Sequence, residues 1–417
     1  MASTSLFCSN IFIPKSTIIT STRNTPSPQF CSPFSSYIQH KREFPLPKVA
    51  SVPYQPINFD YLQQEFNGHG VTFEEVGGNC KAKLELKNGS IATMLLPSGL
   101  ITSYKAPMWH GGIVELLHTA VSEGEFGDAV IQGGVSLNFN FQTHDDDQVS
   151  WSPTNWVLHN IKGNAEKSIQ VELINKGPDS KIGIKYIVTL EEDGLGSELE
   201  ISNSNSLPLH MTGSILTHVT VSSPEATYAI GLERSNYYSR LPFESKFILS
   251  PPDSSEEKGF GKIWKSSVRQ LFPGLEADGS QSDDEDMNGE EMDTYKQLKE
   301  RISLVFPGLE ADGSQSDDED MNGEEMDTYK QLKERISLVY TNAPRSFTLI
   351  DRGRRNSILV GRNGFDESYL YSPGSAGIEN YSKYAYICVG QAAVLQPIVL
   401  KPEDVWKGGQ YLHNPNL

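Results

Sequence analysis

The sequence predicts an all-β chain: one large antiparallel β-sandwich with an acidic, partly helical insert. Three observations lead there. Many short segments alternate apolar and polar residues with period two. Gly, Asn, Pro and Asp punctuate them every 8 to 12 residues or so, which is the rhythm of sandwiches and barrels. A tandem duplication of 34 residues, rich in acids, lies between the larger and the smaller group of such segments.

The leader differs from the rest in composition. Met1 to Arg42 holds no acidic residue, and 14 of those 42 positions are Ser or Thr, with Lys15, Arg23, Lys41 and Arg42 supplying positive charge. Pro14 cuts the apolar Ile11-Phe12-Ile13, so no secretory core forms. Acid-poor, hydroxylated and basic is the composition of an organelle transit peptide, here expected over residues 1 to 48 and plastid-directed. Of the four cysteines only Cys80 and Cys388 lie beyond it, too few for a disulfide scaffold.

The body is expected from 55 to 417. Leu84 and Leu86 alternate with Lys83, Glu85 and Lys87, while Ile182, Ile184, Tyr186, Val188 and Leu190 share one face. Leu199 and Ile201 alternate with Glu198, Glu200 and Ser202. Further β-rich runs cover 214–221, 347–350, 357–360, 384–389 and 393–400.

Residues 272–305 and 306–339 are identical. Two identical copies, half of each rich in Gly, Pro and acids, do not make a solenoid, whose repeats must each bury a face on the next. Each copy carries ten acids and three bases, so the pair accounts for −14 of the net charge of −18. Tyr295, Leu298, Ile302 and Val305 recur at i, i+3, i+7 and i+10, which predicts a helix over 290–305 and its duplicate 324–339. Asp284, Asp286, Asn288 and Gly289 mimic the start of a calcium loop, but position 12 is Tyr295 instead of a bidentate Glu, so no metal is assigned.

The acidity opposes a nucleic-acid partner. No run of eighteen apolar residues exists to span a bilayer. Phosphate-loop, dinucleotide, CxxC and HExxH patterns are absent, and no cofactor is expected. His110 and His118, eight apart, lack ligand spacing. A basic cluster, Arg345, Arg352, Arg354, Arg355 and Arg362, stands out in this acidic chain as a candidate surface for partner docking.

The order of segments resembles the galactose mutarotase-like (aldose 1-epimerase) superfamily. The resemblance rests on Trp109-His110-Gly111-Gly112-Ile113, Trp151-Ser152-Pro153-Thr154-Asn155-Trp156, Asp351-Arg352-Gly353-Arg354-Arg355, Tyr371-Ser372-Pro373-Gly374 and Cys388-Val389-Gly390-Gln391, with Leu400-Lys401-Pro402-Glu403 and Trp406 beyond. It implies a large sandwich whose concave face binds sugar. Catalysis in that family uses a His on the ring oxygen and a Glu on the anomeric hydroxyl. Here the resemblance sets Gln132 at the first His, Thr217 at the second with His218 one residue away, Ser372 at an Asn, and Gly390 at the Glu. Together with Gln391 these residues define a vestigial sugar pocket without catalytic groups.

A closer resemblance, carried by residues 65–73, 114–118 and 408–417, is to a family of plant subunits of the chloroplast NAD(P)H dehydrogenase-like (NDH) complex, which supports cyclic electron flow around photosystem I. It implies a non-catalytic, peripheral subunit on the stromal side of the thylakoid membrane. Its partners would be other NDH subunits and, indirectly, photosystem I, with residual carbohydrate binding left open. An active aldose 1-epimerase or hexose-6-phosphate mutarotase, and a free stromal carbohydrate-binding protein, are the alternatives.

Overall fold

The computed structural model describes residues 59–66, 68–76, 79–123, 129–143, 150–176, 181–243, 245–249, 322–375 and 385–417. The leader and the first copy of the duplication lie outside them. The described chain belongs to one compact unit, Gln55–Leu417.

Every strand pairing among the described residues is antiparallel, as the alternation predicts. A thirteen-stranded sheet and a nine-stranded sheet carry most of the chain, and a three-stranded sheet accompanies them. The axis of the large sheet is the pair Leu209–Val221 and Ala385–Leu400, flanked by Val135–Thr143 on one side and Glu367–Ser372 on the other. The nine-stranded sheet centres on Gly194–Asn203 against Val405–His413. Its neighbour Ile182–Glu191 shows strict in-out alternation, with Ile182, Ile184, Tyr186, Val188 and Leu190 all buried.

One apolar core joins the two large sheets. Ile215, Val219, Ile387 and Val389 of the large sheet face Leu199, Ile201 and Leu412 of the other within it. Burial of this kind contributes on the order of 25 cal/mol per Å² of apolar surface, and it fixes register, because a one-residue slip would turn every core side chain outward.

On its opposite face the large sheet meets a second, smaller cluster: Leu216, Val339, Tyr369 and Cys388, with Phe243, Tyr371 and Val394 packed on it. The three-stranded sheet, Thr119–Glu123, Ala129–Gly133 and Lys246–Leu249, packs Ala129 and Ile131 against Leu95 and Leu100. The central strands of the large sheet are thus apolar on both faces, which explains their nearly continuous hydrophobic runs.

The helix expected over 324–339 is not there. This part of the second copy forms the strands Asn322–Glu324, Tyr329–Gln331 and Ile336–Thr341. Ile336–Thr341 is held on both sides, by Glu367–Ser372 and by Asn236–Ser239. Leu338 and Tyr340 enter the main core, and Val339 the second cluster. A strand buried on both faces has no polar side to reveal its period, so the spacing of three and four mimicked a helix. The counterpart 290–305 and the acidic stretch 272–289 lie outside the described residues. The short helix Phe59–Glu65 was not foreseen.

Candidate functional site

Among the described residues a cavity of about 180 Å³ is lined by His118, Gln132, His218, Phe243, Tyr371 and Tyr386, with Ala120, Gly133, Pro242 and Ser245 completing the wall. It lies where the three-stranded sheet meets the second face of the large sheet. The chain crosses between them at Gly133-Gly134, both with positive φ. A Cβ on Gly134 would stand 2.1 Å from the Ile101 oxygen, and one on Gly133 2.2 Å from the His118 oxygen, so both positions need glycine.

That crossing places the two histidines side by side. Gly134 N–H donates to the His118 carbonyl, His118 N–H to the His218 carbonyl, and His218 N–H to the Gly134 carbonyl. The bridge Leu117–Val219 sets the register. The Tyr386 ring stacks on His118 at 5.1 Å and lies tilted against His218 at 5.2 Å.

The electrostatics follow from burial. Desolvation first, and the neighbouring His118 second, push the His218 imidazole down to about 4, against a backbone hydrogen bond at Gly134. Burial lowers His118 as well. The Tyr386 phenol is pushed up to about 12, mainly by burial and then by Tyr371 and Cys388. At neutral pH the described lining therefore presents two neutral imidazoles and the neutral Tyr386 phenol, beside the Gln132 amide and the Ser245 hydroxyl. The His218 Nδ1 is buried and finds no hydrogen-bond partner among the described residues. Among the described residues no carboxylate lines the cavity. The described lining can hydrogen-bond a small uncharged molecule and holds no anionic base of the kind that proton abstraction from a sugar hydroxyl uses.

The structure brings together Gln132 and His218 of the six residues read as a vestigial sugar pocket. Thr217 points the other way, into the space between the large sheets, where its Oγ1 accepts from Gln410 Nε2. Gln391 is also on that side, its Oε1 accepting from Ser368 Oγ at 3.1 Å. Ser372 is buried and donates to the Leu332 carbonyl at 2.6 Å. Gly390 sits on the second face, but a Cβ there would lie 2.5 Å from the Ile215 oxygen and 3.0 Å from Leu216 Cδ2. The backbone packing leaves no space for a glutamate. Tyr386 and Phe243 carry no motif in the sequence, and Tyr371 enters it only as part of the bend Tyr371-Ser372-Pro373-Gly374. His118 was weighed against His110, eight residues away, whereas its true neighbour is a hundred residues along and is reached only through strand pairing.

The basic cluster is split. Ser346–Asp351 and Asn356–Asn363 form a hairpin with Arg352, Arg354 and Arg355 at its turn, and Arg345 and Arg362 at its open end. Six-residue strands separate those ends by about 17 Å. Arg362 is engaged by the Asp366 and Ala343 carbonyls and Ser368 Oγ, and Arg354 by the Thr220 and Glu115 carbonyls. Arg345, Arg352 and Arg355 are exposed.

Fold and cavity thus define an antiparallel sandwich protein with a small recess whose described lining is uncharged. No family model matches the chain. Among solved structures it is similar to the YeaD protein of Salmonella typhimurium (10% identity, TM-score 0.47, 82% of this chain and 92% of that one). Others are galactose 1-epimerase of Lactobacillus acidophilus (12%, 0.41, 82% and 98%) and the GalM/aldose epimerase homologue of C. elegans (13%, 0.41, 83% and 99%). The architecture itself rests on the strand pairing above. Among curated proteins the chain is 40% identical over 375 residues to the protein NDH-dependent cyclic electron flow 5 of Arabidopsis thaliana, spanning 89% of this chain and 86% of that relative. The chain belongs to the family of that cyclic electron flow protein.

Proposed function

We propose that this chain is a non-catalytic protein of NDH-dependent cyclic electron flow, acting as a peripheral subunit of the chloroplast NDH complex on the stromal side of the thylakoid. The observation that carries the reading is the 40% identity over nearly the whole chain to a relative named for that process. The cavity supports the non-catalytic part: its described lining holds no carboxylate, and burial weakens both imidazoles as bases. Loss of a general base alone removes about two to four orders of magnitude of rate. The acid-free leader supports plastid import, with residues 1 to 48 as the transit peptide. No helix among the described residues is long and apolar enough to cross a membrane, which fits attachment through protein contacts.

A paired experiment tests this. On a native gel of solubilised thylakoids the chain is expected in a very large assembly that is missing in plants without the NDH complex. The purified protein is expected to leave the rate of glucose mutarotation in polarimetry at that of buffer. Migration near its own mass favours a free carbohydrate-binding protein, and turnover abolished by His218→Ala favours an epimerase.

A further inference from the structure

One corner of the molecule gathers what interfaces use. The turn Met108–Gly112 is closed by Met108 N–H on the Gly112 carbonyl and Gly111 N–H on the Met108 carbonyl. It holds Trp109 70% exposed, with Ile113 53% exposed just beyond. The C-terminal segment is stitched against this turn. Trp109 N–H donates to the Asn416 carbonyl at 2.6 Å, and Asn414 Nδ2 to the Pro107 carbonyl at 2.8 Å, which leaves Leu417 55% exposed alongside. Asn416 Nδ2 then reaches the Ser357 carbonyl at 2.6 Å, two residues from Arg355. On the other side Arg354 bonds the Glu115 carbonyl, tying the arginine turn to the strand Ile113–Glu115. The exposed guanidiniums of Arg352 and Arg355 therefore flank an exposed Trp, Ile and Leu.

The side-chain carboxylates of Glu115 and Asp351, which lie in these segments, are both taken up inside. Glu115 accepts from the Tyr104 and Leu117 N–H groups and from Ser103 Oγ. Asp351 accepts from Ser222, Gly353 and Arg354. Arg352 is steadied over the Tyr228 ring at 4.6 Å. Trp and Arg are the residue types most enriched in binding hot spots, and an anchor already fixed by hydrogen bonds loses little entropy on docking.

We propose that this corner, Trp109, Ile113 and Leu417 with Arg352 and Arg355, docks onto an acidic protein surface that offers an apolar socket for the indole. The inference rests on the subunit reading above and names where contact is made. Charge decides between occupants. A second copy of this chain in a twofold dimer would set guanidiniums against guanidiniums. Anionic lipid recognition uses clusters of about four to eight basic residues, and only two are exposed here. A carboxylate-bearing protein face complements both the sign and the number of charges.

The test uses the full chain expressed in plants that lack it. Trp109→Ala combined with Arg352→Glu and Arg355→Glu is expected to lower the fraction found in the large assembly at least tenfold. Val157→Ser, at an exposed apolar position on another edge, is expected to leave it unchanged. Equal melting temperatures of the purified variants separate docking from folding. A photo-crosslinking phenylalanine analogue at position 109 is expected to label a peptide containing Asp or Glu. Co-migration of the triple variant with wild type overturns the inference and leaves the subunit reading standing. Crosslinking to lipid, with binding of wild type to phosphatidylglycerol vesicles, also overturns it. Failure of the wild type itself to enter a large assembly removes the subunit reading and this inference with it.

Discussion

His218 shows how one buried side chain ties stability to pH. Its folded value of about 4 lies below the ordinary 6.5 because burial disfavours the charged form and His118 stands beside it, against a backbone hydrogen bond at Gly134. A lowered folded pKa gives stability that is complete above 6.5 and is lost as pH falls from 6.5 toward 4. A shift of that size corresponds to roughly 3 kcal/mol. The denaturant midpoint of wild type is expected to fall over this window, and that of His218→Gln to fall less, when both are titrated by urea at pH 7.5 and 4.5. Gly390 makes the complementary case. Gly390→Glu puts back the residue type that the epimerase resemblance sets there, yet its Cβ meets the Ile215 oxygen at 2.5 Å. The substitution is expected to cost about 1–3 kcal/mol, as overpacking does, and to produce no mutarotation in polarimetry.

At the scale of elements, the second copy of the duplication is partly structural. Deleting residues 306–339 joins Val305 to Tyr340, and residues 288–305 then carry the same sequence that 322–339 carry now. The shortened protein is therefore expected to melt within a few degrees of the full chain by circular dichroism, whereas deleting 272–339 removes residues 336–339 of the strand Ile336–Thr341 and is expected to abolish cooperative melting. Strands with one wet face, such as Ile182–Glu191 and Gly194–Asn203, were legible from their alternation, and the central runs 214–221 and 384–389 from their β-rich composition. Ile336–Thr341 was misread because neither of its faces is wet. The cavity was half legible. Gln132 and His218 were within reach of motif comparison, but His118 and Tyr386 join them only through pairing between distant strands, and the one-residue choice between Thr217 and His218 depended on which face the register turns inward.

For the whole molecule, the distribution of charge matters more than its total. Residues 1–48 hold five bases and one acid, so without them the net charge moves from −18 to −22, and the duplication supplies −14 of it. Such a body is repelled by anionic lipid, and local basic or aromatic spots have to provide attachment. The protein is expected to leave thylakoid membranes on washing with alkali or a chaotrope, without detergent, and to resist mild salt. Immunoblots of pellet and wash check this, and retention until detergent is added would contradict attachment through protein contacts alone.

The seat occupied by residues 322–339 also has a matching key elsewhere in the chain, since 288–305 could be threaded into it letter for letter. What tells the two keys apart lies just past them. Tyr340 Oη donates to the buried Glu325 carboxylate at 3.0 Å, and Thr341 pairs with Asn236. In the other threading these places fall to Phe306, which has no hydroxyl, and Pro307, which has no N–H to give a ladder. Leaving that carboxylate short of a donor costs about 1–3 kcal/mol, a bias of roughly one to two powers of ten before the proline is counted. Two residues outside the duplication thus act as the address label that makes an ambiguous message readable in one way.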